Sequence, residues 1–79
     1  MTRVRWQERI TVNADIHHGT PCIAGTRVSV AVVLGSLADG MTNAEILAEY
    51  PQLSEDDIAA ALAYAAEVLR QEIVLPLSA

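Results

Sequence analysis

Apolar residues recur along this chain with two different periods, and the change from one to the other falls at Ser29-Val30. At the N-terminus Val4, Trp6, Ile10 and Val12 share one parity, while Arg3, Arg5, Gln7, Arg9 and Thr11 share the other. That alternation predicts a half-buried strand in residues 1–12, broken at Glu8 and firmest at Ile10–Val12, with Met1–Arg5 loose. Asn13, Ala14 and Asp15 read as a turn. Gly19 and Pro21 then mark one bend and Gly25 a second, so residues 16–30 are expected to form a β-hairpin. Its arms are Cys22-Ile23 and Thr26–Val28, and Gly25 takes a positive φ between them.

From Val30 the spacing becomes helical, with Val30, Val33, Leu34 and Leu37 on one face and Ser29 as N-cap. This helix is expected to run from Val30 to Asp39 and to stop at Gly40, a natural residue for the left-handed position after a helix. Thr42-Asn43-Ala44-Glu45 has the form of a capping box, followed by Ile46, Leu47 and Tyr50 as the apolar face until Pro51. Leu53 is expected to plug the next turn. Ser54-Glu55-Asp56-Asp57 opens a third and longest helix, from Glu55 to Gln71, with acid groups at the positive end of its dipole. Its core stripe reads as Ile58, Leu62, Ala65 and Leu69. Ala59, Ala60, Ala63, Ala66 and Val68 widen the apolar arc beyond what a one-sided core needs, which points to packing on a second chain.

The sum is one mainly α domain with a small N-terminal β part. It reads as a trihelical helix-turn-helix arrangement (homeodomain-like or winged-helix-like) over residues 30–72, preceded by a short strand and a β-hairpin and followed by an apolar tail, residues 73–79. At 79 residues its core is thin even though 52% of the chain is hydrophobic, because much of that share is alanine and the aromatics are Trp6, Tyr50 and Tyr64. A homodimer or an obligate partner is the expected remedy. Gly35, Ser36, Asp39 and Gly40 interrupt the most apolar stretch, so no membrane span is expected. With a single cysteine and no secretory leader pattern, the protein is expected to be cytoplasmic.

Charge narrows the function classes. The net charge is -5 with no lysine, which argues against indiscriminate coating of nucleic acid. Arg3, Arg5, Arg9 and Arg27 precede the helices. Asp39, Glu45, Glu49, Glu55, Asp56, Asp57, Glu67 and Glu72 follow, opposed by Arg70 alone.

His17-His18 with Asp15 and Cys22 offers metal-binding side chains in a poor spacing, since adjacent histidines on an extended segment point to opposite sides. The loop reading is preferred, and no metal or cofactor is expected. Cys22, between Pro21 and Ile23, reads as a small buried hydrophobe. Arg27 suits either a phosphate or partner carboxylate, or an internal role pinning the hairpin near Asp39; the internal role fits its place beside a turn better. No nucleophile, base and orienting group stand together at useful spacing, so no catalytic residues are assigned.

The segment Gly19-Thr20-Pro21-Cys22-Ile23-Ala24-Gly25-Thr26-Arg27-Val28-Ser29-Val30, with Gly40-Met41-Thr42-Asn43-Ala44-Glu45-Ile46 and Tyr50-Pro51-Gln52-Leu53, resembles the bacterial and archaeal family called domain of unknown function 433. The resemblance spans about Ile10 to Ala66. It rests on the structural motif residues Gly19, Pro21, Gly25, Thr26, Gly40, Tyr50 and Pro51. It implies a small helix-turn-helix-like domain acting as the antitoxin of a toxin-antitoxin pair, with a PIN-like ribonuclease as the toxin.

On that reading the acidic helical face and the apolar tail are the partner-binding candidates, namely Glu55, Asp56, Asp57, Glu67, Ile73 and Leu75, covering a positive RNA-binding surface. The alternative is a dimeric DNA-binding regulator contacting operator DNA through Arg3, Arg5, Arg9 and Arg27. Those arginines equally suit a solvated strand face that resists aggregation. Recognition by the third helix is disfavoured, because Glu55, Asp56 and Asp57 occupy the turn that would meet the phosphates.

Overall fold

The computed structural model describes residues 5–12 and 19–72. The chain runs through a 3-10 turn at Trp6–Glu8, strand β1 (Ile10–Thr11), strand β2 (Cys22–Ile23) and helices α1 (Val30–Ala38), α2 (Asn43–Glu49) and α3 (Glu55–Glu72). It is a mainly helical domain in which three helices follow a short two-stranded antiparallel sheet, with Ile10 opposite Ile23 and Thr11 opposite Cys22.

The N-terminal region departs from the expected strand. Trp6 lies in a 3-10 turn closed by Glu8 N–H to Arg5 C=O at 3.0 Å and Arg9 N–H to Trp6 C=O at 2.9 Å. Pairing begins only at Ile10, and Val12 is 57% exposed rather than inward. The rolled backbone gives Trp6 an edge-to-face contact with Tyr64 of α3, ring centroids 5.0 Å apart, worth ~1 kcal/mol beyond the area it covers.

The tight turn forms as expected around Gly25, at φ 79°. Ile23 N–H donates to Val28 C=O at 2.9 Å, and Thr26 Oγ1 both donates to Ile23 C=O and accepts from Val28 N–H. Cys22 bridges Ser29 as well as pairing with Thr11, so the second arm of the hairpin is one bridge long. Buried Cys22 donates weakly to Thr20 C=O. Arg27 is exposed and makes no hydrogen bond or ion pair among the described residues, so it does not pin the hairpin to Asp39.

The helix caps follow the sequence closely. Ser29 accepts from Val32 N–H, Gly40 takes φ 94° after α1, and Thr42 and Glu45 form a reciprocal capping box on α2. A second reciprocal box opens α3, where Asp57 N–H donates to Ser54 Oγ at 3.3 Å and Ser54 N–H donates to Asp57 Oδ2 at 2.9 Å.

Ile23, Val33, Ile46 and Ile58 are the largest fully buried side chains, joined by Ile10, Val28, Val30, Leu53, Ala60 and Ala61. Each of the large ones contributes about 1.5–3 kcal/mol. On α3 the inward face is therefore turned from the expected stripe. Ile58 is buried, but Leu62 and Leu69 stand 50% and 56% exposed while alanines 60 and 61 take the core positions. Small side chains there let α3 lie close to the sheet and to α1. Among the described residues no helix is long and apolar enough to cross a membrane.

Candidate interaction surfaces

Two surfaces stand out, one at each end of α3. From Val28 to Leu69 the chain contains no basic residue. Within that span α2 exposes Glu45 and Glu49, and the first turn of α3 exposes Glu55 and Asp56. Asn43 Nδ2 donates to Glu55 Oε1 at 3.1 Å, which ties the starts of α2 and α3 into one acidic ledge. Glu45 lends one carboxylate oxygen to Thr42 N–H at 2.8 Å, so its position on the ledge is fixed.

Asp57 belongs to the fold rather than to the ledge. It is 9% exposed, and its oxygens are divided between Ser54 N–H and Arg9 Nη1, the latter at 3.1 Å. Arg9 also reaches Asp56 at 3.4 Å, a looser and more exposed contact. A cleft of about 360 Å³ opens beside this pair, lined by Glu8, Arg9, Ala24 and Asp57. Its charged groups are largely engaged with one another or, for Glu8, with Arg5.

The arginines that precede the helices are thus brought to different ends. Arg9 is committed to α3, Arg5 pairs with Glu8 at 3.3 Å in full exposure, and Arg27 alone of the described ones stands free. Arg3 lies outside the described residues. Arg70 bonds Glu67 at 2.8 Å within the last turns of α3, and Gln71 adds a second bond to the same carboxylate at 3.1 Å. The Arg70 hydrogen bond first, then the Gln71 bond and the Arg70 charge, hold the Glu67 carboxyl below its ordinary value. Of the expected partner-binding residues, Glu55 and Asp56 share the ledge, Glu67 sits about three turns further along α3, and Ile73 and Leu75 lie outside the described residues.

The second surface is apolar. Between α1 and the C-terminal half of α3 runs a groove of about 350 Å³, walled by Pro21, Ala31, Leu34, Tyr64, Val68 and Leu69 among others, with no charged residue in its lining. Helical periodicity puts Val68 on the widened arc but assigns Leu69 to the core, which hides the groove. The available signal was the absence of any charge from Val28 to Ala38.

No group of three metal-binding side chains occurs among the described residues, and Asp15, His17 and His18 lie outside them.

Residues 10–65 match the family model described as protein of unknown function (DUF433). The fold is similar to the crystal structure of a DUF433 member protein from Anabaena variabilis, with a TM-score of 0.74 and 29% identity, over 82% of this chain and 64% of that one. This chain thus spans somewhat less than two thirds of that protein. No curated protein matches the sequence.

Proposed function

The chain belongs to the DUF433 family of proteins of unknown function, and from that membership we propose that it is a non-catalytic protein-binding module, the antitoxin of a PIN-like ribonuclease. The observation that carries this reading is the acidic ledge. Glu45, Glu49, Glu55 and Asp56 are exposed, the sequence from Val28 to Leu69 carries no basic residue, and of the four only Asp56 has an arginine against it, Arg9 at 3.4 Å. A surface built to hold RNA is positive, and a rigid acidic ledge competes for it by the same electrostatics. The ledge is preorganised by the Thr42–Glu45 and Asn43–Glu55 bonds, so little side-chain freedom is lost on docking.

Operator binding by the N-terminal arginines is the weaker reading, since Arg9 is drawn to Asp57 and Arg5 to Glu8. The test is affinity purification of the tagged chain from its native cells at moderate salt, with mass identification of any stoichiometric companion. A PIN-like nuclease is expected, with capture lost in the double variant Glu55→Lys, Asp56→Lys. Recovery of the chain without a nuclease overturns the reading, and capture that survives both substitutions removes the ledge from the mechanism.

A further inference from the structure

We infer that the uncharged face formed by α1 and the C-terminal half of α3 is the seat of a second copy of this chain. The face has three parts. The α1/α3 groove forms its floor. Leu62 and Leu69, two turns apart on the same side of α3, form one wall and are each at least half exposed. Ala31, Val32, Gly35 and Ala38 form the outward side of α1, all exposed, in a helix without a single charged residue.

Gly35 is the informative member. It sits in mid-helix, where glycine costs about 0.5–1 kcal/mol relative to alanine. A Cβ added there would meet nothing within 4 Å, so packing among the described residues does not account for the missing side chain. Close approach of another backbone does. Ala31 and Gly35, one turn apart, leave the α1 surface flat enough for a helix to cross at short distance.

Charge selects the occupant. The chain carries -5 overall, and a face-to-face pair joins the two uncharged surfaces without burying any carboxylate of the acidic ledge. A basic partner gains nothing from this face and is drawn to the ledge at the other end of α3, about 15 Å away along the helix. Two-fold pairing of α1 and α3 is isologous and closes on itself, so it yields a dimer and no longer array.

The inference goes beyond the nuclease reading and is tested without a nuclease, by sedimentation equilibrium of the purified full chain. The expected mass is twice 8.5 kDa. Leu69→Glu and, independently on the other wall, Val32→Glu shift it to the monomer while the helical circular dichroism is kept. Gly35→Leu, whose Cβ meets no described atom within 4 Å, weakens the dimer.

A wild-type chain that stays monomeric at high micromolar concentration overturns the inference, as does a dimer indifferent to all three substitutions. In the monomeric case, loss of nuclease capture in Leu69→Glu assigns the groove to the nuclease. A gain in apolar-dye binding on removal of residues 73–79 assigns it instead to the chain's own final segment. Failure of the nuclease reading leaves the dimer mass unchanged, so the two outcomes are separable.

Discussion

Arg9 and Asp57 meet at 3.1 Å across 48 residues of sequence, joining the end of the first turn to the first turn of the last helix. Asp57 also caps Ser54, so one nearly buried carboxylate anchors both the N-terminal segment and α3. Asp57→Ala removes the carboxylate half of the capping box, leaving Ser54 N–H without its acceptor and the Arg9 guanidinium with only its loose contact to Asp56. The expected cost is about 2 kcal/mol, read as a fall of roughly 10 °C in Tm. Arg9→Met costs less, because the cap survives.

The glycines divide by backbone conformation. Gly40 has open space around it but φ 94°, so Gly40→Ala is expected to destabilise by about 1 kcal/mol through backbone strain alone. Gly35 has the same open space and a helical backbone, so Gly35→Ala in the monomeric Leu69→Glu background stabilises by about 0.5–1 kcal/mol. Urea unfolding of the two variants checks the opposite signs.

The Trp6–Tyr64 contact gives the sole tryptophan a reporter role. Tyr64→Leu keeps apolar bulk and removes the ring, at an expected cost of about 0.5–1.5 kcal/mol. Trp6 emission should shift to the red in this variant before the helical signal changes. Coincident loss of both signals would show that the N-terminal turn and α3 unfold as one unit.

Glu67 titrates below its ordinary 4.5 because Arg70 and Gln71 hold its charged form. A carboxyl depressed in the folded state adds stability that is complete above the unfolded value and is lost as pH falls through the folded one. Lowering pH below about 4.5 should therefore loosen the last turns of α3 at Glu67. Arg70→Gln should bring the Glu67 carboxyl resonance back toward its ordinary midpoint in an NMR titration.

The elements legible in the sequence were those specified by near neighbours. Ser29, Gly40, Thr42 with Glu45, and Ser54 with Asp57 each act on a backbone group within a few residues, and each appears where local chemistry puts it. What distant partners decide was not legible. Alternation at Trp6 fits a strand, but Tyr64 draws the ring into a 3-10 turn. Arg9 alternates like a solvated strand residue, and its partner lies far along the chain. Leu62 and Leu69 satisfy the helical period as well as core residues do, and only the close seating of α3 on Ala60 and Ala61 turns them outward. The acidic ledge is legible as composition, but the Asn43–Glu55 bond that joins the starts of α2 and α3 is not.

The dependence of the first turn on the last helix sets an order of events during synthesis. Trp6 and Arg9 leave the ribosome early and have no lasting place to go until Asp57 and Tyr64 have followed them. The small sheet and α1 are likewise complete in sequence before α3, which covers them, has emerged. The nascent domain thus has its apolar face uncovered until the final helix is free to cover it.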